Sequence, residues 1–151
     1  MDEPEQLGTI GAEIIAKRVK QLRAQEGIPI AELSRHLELI GCKISPYEFD
    51  QIVDGERRIY ADELLPLAYA LGVSPVTLLM PDATDALDTV EDIGLTASAF
   101  WAWLRADEPF VTDSSNQRSR QHVEFVLRSH PTWKRDEYAE AIRAVQDSRG
   151  D

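Results

Sequence analysis

Apolar residues recur at helical spacing along the first half of the chain. Within residues 9–25 they stand one, three or four positions apart, which places them on one stripe of an amphipathic helix. The members of this stripe are Ile10, Ile14, Ile15, Val19 and Leu22. Because Gly27 is a natural C-terminal cap, the pattern predicts a first helix over residues 9–25.

The second predicted helix is short and ends in a glycine turn. It begins at Pro29 and is closed by Gly41. Its apolar stripe consists of Leu33, Leu37 and Ile40. We expect the next helix to follow directly after the turn and to pack beside this one.

The third predicted helix has the sharpest start in the chain. Ser45 can accept a hydrogen bond from the backbone three residues on, and Glu48 can reach back to the N–H of Ser45, which together form a capping box. Pro46 occupies the first helical position, where its fixed φ fits. The helix runs to about residue 53 and buries Phe49 and Ile52. Two helices joined in this way have the layout of a helix-turn-helix.

Helical patterns continue to the end of the chain, and no stretch alternates as a strand does. A fourth helix is predicted at about 62–71, a fifth after Pro75, and three more in the last third of the chain. We therefore predict an all-α fold, with a five-helix helix-turn-helix domain and a small C-terminal helical region. The predicted divisions are a flexible acidic N-terminus (1–8), the five-helix domain (9–81), an acidic linker (82–95) and the C-terminal region (96–151).

The composition is that of an acidic globular protein without a membrane span. No apolar run approaches the roughly 18 residues that a spanning helix needs, and the acidic N-terminus lacks a secretory pattern. The one cysteine, Cys42, fits a reducing compartment, so we expect a cytoplasmic protein. The formal net charge is −11, which weakens attraction to nucleic acid and requires any basic face to be local.

No catalytic or phosphate-loop motif is present in the sequence, so we expect no enzyme activity. The histidines His36, His122 and His130 lack Cys or carboxylate neighbours at metal-ligand spacing. Cys42 is predicted to fill a turn and not to act as a nucleophile. We therefore predict no catalytic residue, no metal site and no cofactor.

A longer pattern runs through residues 14–81. Its members are Ile14, Lys17, Arg18, Leu22, Arg23, Gly27, Ile28, Ala31, Glu32, Leu33, Ser34, Leu37, Ile44, Ser45, Ile52, Gly55, Arg57, Arg58, Leu64, Leu67, Ala68, Leu71, Gly72, Val73, Ser74, Leu78 and Leu79. The pattern resembles the Cro/C1 (XRE) family of bacterial and phage helix-turn-helix regulators. The stretch FWAWLRADEPF is similar to a tryptophan-rich segment of actinobacterial and actinophage regulators of this type. The resemblance implies a transcriptional regulator, of the repressor kind (phage-immunity-like or autoregulatory), that binds operator DNA as a homodimer and inserts its third helix into the major groove.

The third helix supplies the candidate base-reading residues. Since Phe49 and Ile52 face the core, the side chains that turn outward and are predicted to read bases are Pro46, Tyr47, Asp50 and Gln51. A glutamine amide can pair bidentately with adenine, and a carboxylate can accept from cytosine N4. Tyr47 can reach a phosphate or pack on a thymine methyl group.

Basic and polar residues around this helix are the candidate phosphate ligands. They are Lys43, Ser45, Arg57, Arg58, Arg35 and Lys17. For Arg57 and Arg58 two alternatives to a DNA clamp stay open, namely a solvated loop and an ion pair with Asp62 or Glu63. A chain this acidic should bind DNA with modest affinity that falls steeply with salt.

The chain departs from the family pattern in ways that suggest a second function. About five additional residues lie between Leu37 and Ile44, Ile30 stands where a Gln is frequent, and Val53 stands where a Glu is frequent. The third helix also carries three carboxylates, Glu48, Asp50 and Asp54. The alternative is a protein–protein interaction module (an antitoxin, an anti-repressor or a DNA mimic) that uses this acidic surface.

Two tryptophans in the C-terminal region give a candidate dimer surface. Trp101 and Trp103 are two positions apart and cannot both face one core, so one of them is predicted to meet a second subunit or a protein partner. The alternative, in which the two rings are divided between the main core and the C-terminal helices, stays open.

Overall fold

The computed structural model describes residues 7–90, 93–110 and 118–147 of the chain. Within these ranges the protein is mostly helical, as the sequence predicts, with one very small β-sheet. The helices in chain order are α1 (Leu7–Gln25), α2 (Ile30–Leu39), α3 (Pro46–Val53), α4 (Ala61–Ala70), α5 (Pro75–Leu79), α6 (Ala97–Leu104), α7 (Arg118–Ser129) and α8 (Thr132–Asp147). No helix in the described ranges is both long and apolar enough to cross a membrane. Residues 1–6 of the acidic N-terminus predicted at 1–8 lie outside the described residues, and α1 begins at Leu7.

Helices α1 to α5 surround one apolar core. Its fully buried side chains come from every one of these helices and from the turn before α3, and the largest of them are Phe49, Leu33, Leu37, Ile44, Ile52, Leu67, Leu78 and Val19. Removing apolar surface of this extent from water is the main stabilising term of the unit. Because α3 contributes Phe49 and Ile52 to this core, its opposite face is held at the surface.

The turn between α2 and α3 differs from the prediction at one apolar position. Ile40 was expected on the buried stripe of α2, but the helix ends at Leu39 and the Ile40 side chain is 43% exposed. Gly41 follows with a positive φ of 84°, which reverses the chain. Ile44 takes the buried position instead, and its carbonyl accepts a hydrogen bond from the Ser34 hydroxyl of α2.

The structure contains a short hairpin, with two residues in each strand, that the sequence pattern does not predict. Strand β1 (Thr89–Val90) pairs antiparallel with β2 (Leu95–Thr96), with Val90 opposite Leu95. Val90 and Ile93 are buried, although Asp82, Asp85 and Asp88 are exposed. The segment predicted as an acidic linker at 82–95 therefore contains ordered apolar positions of its own.

The chain divides into two compact units between Phe100 and Trp101, inside α6. The first unit carries α1 to α5 and the hairpin, and the second carries α7 and α8. In the second unit Val126 of α7 is buried, whereas Trp133 at the start of α8 is 69% exposed. The polar turn region at 111–117 lies outside the described residues.

Candidate nucleic-acid interface

Helix α3 separates its side chains cleanly into an inner and an outer face. Phe49 is completely buried and Ile52 is 1% exposed. On the outer face, Tyr47 is 70% exposed and Asp50 is exposed, while Gln51 is partly exposed. The predicted base-reading residues, including the exposed Pro46, are therefore all accessible on the side of α3 that faces away from the core.

Two of these residues are joined to each other. The Gln51 side-chain amide donates a hydrogen bond to the Tyr47 hydroxyl at 3.3 Å, one helical turn away. This bond uses one of the two N–H groups of the amide and leaves the second N–H and the Oε1 acceptor free. Those two groups are the ones that a bidentate contact with the N7 and N6 atoms of adenine requires. Tyr47 thus limits the rotation of the side chain that is best suited to reading a base.

The start of α3 is held by a complete capping box, as predicted. The Ser45 hydroxyl accepts from the backbone N–H of Glu48 at 3.2 Å, and the backbone N–H of Ser45 donates to the Glu48 carboxylate at 2.8 Å. The predicted phosphate ligand Ser45 therefore uses its hydroxyl oxygen within the cap. Glu48 is likewise engaged, so it is less available than Asp50 on the same helix or Asp54 at its C-cap.

The cap makes the stability of α3 depend on pH. The hydrogen bond from the Ser45 backbone lowers the pKa of the Glu48 carboxyl, and the Ser45 hydroxyl and the charge of Arg57 act in the same direction. A carboxyl whose pKa is depressed by folding stabilises the fold above its unfolded pKa, about 4.3, and loses that contribution as the pH falls through its folded pKa.

We therefore expect Glu48→Gln to flatten the acid limb of the stability curve. The melting temperature of the wild type should fall as the pH drops below about 4, and that of the variant should fall less over the same interval. The matched control is Glu56→Gln, an exposed glutamate in the loop after α3, which should leave the acid limb unchanged. An identical acid limb for wild type and Glu48→Gln would contradict the role given to the cap.

Three predicted phosphate ligands are exposed and accessible. Lys43 lies immediately before α3, Arg58 lies in the loop after it, and Arg35 lies on α2. Within the described residues, none of the three side chains forms an ion pair. Lys43 shares a surface groove with the carboxylates Glu38 and Glu48, which reduces the net attraction that this groove has for a phosphate.

Lys17 occupies a different setting. It lines a cleft of about 510 Å³ between α1 and residues 81–90. In this cleft Arg18 donates to Gln21 at 2.7 Å and approaches the Asp82 carboxylate at 3.5 Å, and Gln21 also donates to Asp82. The structure therefore groups Lys17 with the residues that tie α1 to the segment after α5, and not with the residues that border α3.

Arg57 forms the ion pair that the sequence left open as an alternative. Its guanidinium donates twice to the Glu63 carboxylate, at 3.0 and 2.5 Å, and its Nε lies 3.6 Å from Glu48. The hydrogen bond with Glu63 raises the pKa of Arg57. Its side chain is 15% exposed, so little of the guanidinium is left for a phosphate. Direct binding of DNA by Arg57 stays a prediction, and in the structure the guanidinium is engaged in this internal ion pair.

The partner of Arg57 is a buried glutamate, Glu63. Among the charged side chains whose burial the structure describes, Glu63 is the one that is buried, at 7% exposure. Its carboxylate also accepts from the backbone N–H of Tyr60 at 2.9 Å. Tyr60 precedes Glu63 by three positions, just as Ser45 precedes Glu48, but a tyrosine is not one of the usual capping residues, so the spacing alone does not predict this bond.

Cys42 lies in the main core and is 8% exposed. Burial raises the pKa of its thiol, and the carboxylates of Glu63 and Asp62 raise it further. A thiol of raised pKa stays protonated at neutral pH and is a poor nucleophile. This environment agrees with the interpretation of Cys42 as a turn filler.

The two tryptophans of the predicted dimer surface both have aromatic or cationic neighbours. Trp103 packs edge-on against Phe110, with ring centroids 4.9 Å apart. The guanidinium of Arg105 lies over the ring of Trp101 at 5.8 Å. Both side chains are partly buried, and the most exposed tryptophan is Trp133. A second subunit at Trp101 and Trp103 remains a prediction.

The described residues contain no cluster of His, Cys, Asp or Glu that could hold a metal ion. His130 directs its Nδ1 to the carbonyl of Val126 at 3.0 Å and packs near Tyr138. No family model, no curated protein and no solved structure matches the chain at a significant level. Any functional conclusion therefore depends on the residues and geometry described above.

Proposed function

We propose that the protein is a sequence-specific DNA-binding transcriptional regulator. In this proposal α1 to α5 form a five-helix domain that resembles the Cro/C1 family, and α2, the glycine turn and α3 are its helix-turn-helix. The observation that carries the proposal is the outer face of α3, where Tyr47, Asp50 and Gln51 stand together on a helix whose opposite side is fixed in the core. A helix held in this way can enter the major groove without rearrangement of the fold.

Each outer side chain has a defined chemical role in the proposal. Gln51, oriented by Tyr47, pairs with an adenine, and Asp50 accepts from the N4 amino group of a cytosine. Pro46 and the Tyr47 ring contact the edge of the groove, where a thymine methyl group offers an apolar partner. Because the carboxylate of Asp50 repels phosphate, these residues select a sequence more than they attract DNA.

The attraction is assigned to the exposed cations Lys43, Arg58 and Arg35. Each cation that neutralises a phosphate releases a counterion, so the affinity should fall as salt rises. Residues 1–81, the acidic N-terminus together with the five-helix domain, contain 8 Lys and Arg against 13 Asp and Glu, which leaves few cations for this purpose. Non-specific affinity should therefore be low, and selection by base contacts should account for most of the discrimination.

Selection from a randomised duplex library at two salt concentrations tests the proposal directly. We expect enrichment of one sequence containing an A·T pair, with weaker binding at the higher salt concentration. If no sequence is enriched and no salt-dependent binding is seen at low salt, the protein is not a DNA-binding regulator of this kind.

Single substitutions then distinguish the residues that read bases from the residues that bind phosphates. Gln51→Ala should lose about 1–3 kcal/mol of discrimination at one base pair and leave binding to other sequences unchanged. Arg58→Ala and Lys43→Ala should weaken binding to all sequences alike and reduce the salt dependence by about one counterion each. Unchanged specificity in Gln51→Ala would remove that residue from the base-reading set.

One observation favours the alternative function. Since Arg57 is neutralised by Glu63, the exposed carboxylates Asp50 and Asp54 have fewer free cations around them than the sequence suggests. A surface of this kind fits a basic protein partner, as in an antitoxin, an anti-repressor or a DNA mimic. In that case the library selects nothing, and Asp50→Asn weakens capture of a polycationic peptide.

The proposed regulator acts in the cytoplasm as a homodimer on double-stranded operator DNA. A helix-turn-helix dimer reads two half-sites about one helical turn apart, so the selected sequence should be palindromic. The C-terminal region that contains Trp101 and Trp103 is proposed to join the two subunits or to bind a protein partner.

A further inference from the structure

Helices α3 and α4 begin in the same way. In each, a glutamate at the third helical position accepts from the backbone N–H of the residue that precedes the helix. Ser45 donates to Glu48 at 2.8 Å, and Tyr60 donates to Glu63 at 2.9 Å. These bonds satisfy backbone groups that have no partner within the helix.

One arginine links the two capping glutamates. The Arg57 guanidinium binds Glu63 through two hydrogen bonds, at 3.0 and 2.5 Å, and its Nε lies 3.6 Å from Glu48. The same guanidinium lies over the Tyr60 ring at 5.0 Å and donates to the carbonyl of Arg58 at 3.1 Å. Arg57 therefore contacts the N-terminal turns of both α3 and α4 as well as the loop that connects the helices.

We propose that Arg57 is the positioning residue that fixes the start of α3 against α4 and so sets the angle at which Tyr47 and Gln51 are presented. The inference rests on the proposed DNA-reading function and assigns to Arg57 a role that involves no phosphate. Arg57 acts through Glu48, which is in the same helical turn as Tyr47. A base contact needs a geometry that is correct within a fraction of an ångström, so a small rotation of α3 affects reading before it affects folding.

The planar guanidinium is required for this link. It presents parallel N–H groups that match a carboxylate bidentately, while its Nε points in another direction and can face a second acid. A lysine ammonium at position 57 retains the charge but cannot meet Glu63 through two parallel bonds and face Glu48 together. Arg57→Lys therefore removes the link and keeps the charge that a phosphate contact would use.

The test compares Arg57→Lys and Arg57→Gln with the matched control Arg58→Gln, at a temperature where all the variants are folded. Specific affinity is measured on the selected duplex and non-specific affinity on a random duplex, across a range of salt. Arg57→Lys is expected to lower the preference for the selected duplex by about tenfold, the size of one bidentate base contact. Its non-specific affinity and salt dependence should stay at the wild-type values.

Other outcomes identify other roles. If Arg57→Lys behaves as wild type while Arg57→Gln loses about one counterion of salt dependence, Arg57 is a phosphate ligand and the inference is wrong. If the Arg57 variants lower specific and non-specific binding by the same factor, the arginine only supports folding and the inference is also wrong. Arg58→Gln should reduce the salt dependence without changing the preference.

A measurement without DNA keeps the inference separate from the proposed function. The amide resonances of Ser45 and Tyr60 report the two caps, because each N–H donates to a glutamate that Arg57 contacts. Arg57→Lys should shift both resonances, and Arg58→Gln should shift neither. If the wild-type protein selects no DNA sequence, the function fails while the link still stands on these shifts. If Ser45 is unmoved in Arg57→Lys, the link to α3 fails whatever the protein binds.

Discussion

Replacement of Phe49 by alanine is expected to lower the free energy of unfolding of the first unit by about 3–5 kcal/mol. Phe49 is completely buried in the core that α1 to α5 share, and its truncation leaves a cavity among rigid neighbours. The loss should be measured by urea unfolding, followed by the far-ultraviolet circular dichroism of the helices. The physical reason is that the ring loses its burial and that its neighbours lose their packing contacts.

Tyr47→Ala is the matched control on the same helix. Tyr47 stands two positions before Phe49 but is 70% exposed, so its removal should change the unfolding free energy by no more than about 0.5 kcal/mol. The same variant should nevertheless lose DNA discrimination, because Gln51 loses its hydrogen-bond partner. Equal destabilisation by the two substitutions would contradict the division of α3 into a core face and a reading face.

Replacement of Glu63 by alanine is expected to destabilise the first unit by a similar amount, about 3–5 kcal/mol. The truncation leaves the largely buried Arg57 guanidinium and the N–H of Tyr60 without their common acceptor. A charge of this kind is costly because it is removed from water and keeps only the longer approach to Glu48 and the bond to the Arg58 carbonyl. Urea unfolding again provides the measurement.

Two controls identify the cause of that loss. Glu56→Ala removes an exposed carboxylate from the same loop and should have an effect of at most about 0.5 kcal/mol. The double variant Arg57→Met, Glu63→Leu replaces both charges by apolar side chains and should recover most of the stability, because no buried charge is left unpaired. A double variant as unstable as Glu63→Ala would show that the lost cap of α4, and not the charge, is responsible.

The helical elements of the first unit could be predicted because their ends are specified locally. The predicted third helix begins at Pro46 and ends at about residue 53, as α3 does, since a capping serine, a proline and a following glycine all act within a few residues. The outward face of α3 followed from the same local pattern. Once Phe49 and Ile52 are assigned to the core, the helical period leaves Tyr47 and Asp50 on the other side.

The features that the sequence did not determine depend on tertiary contacts. Arg57 had a solvated loop, a phosphate and a carboxylate as open alternatives, and only the folded loop places it between Glu48 and Glu63. Ile40 fits the helical stripe of α2, but the helix ends one residue earlier and Ile44 fills the core instead. The hairpin at residues 89–96 has strands of two residues, which are too short to show an alternating pattern.

The distribution of the tryptophans makes the intrinsic fluorescence of the chain specific to one of its two units. All three tryptophans follow Phe100, where the first compact unit ends, whereas the first unit contains tyrosines and no tryptophan. Selectively excited indole emission therefore originates only from the C-terminal unit, and Trp133 supplies its most solvent-sensitive part. A change of this emission on ligand binding therefore reports a change around the tryptophans of the C-terminal unit. The native chain can thus report on that unit without an attached dye.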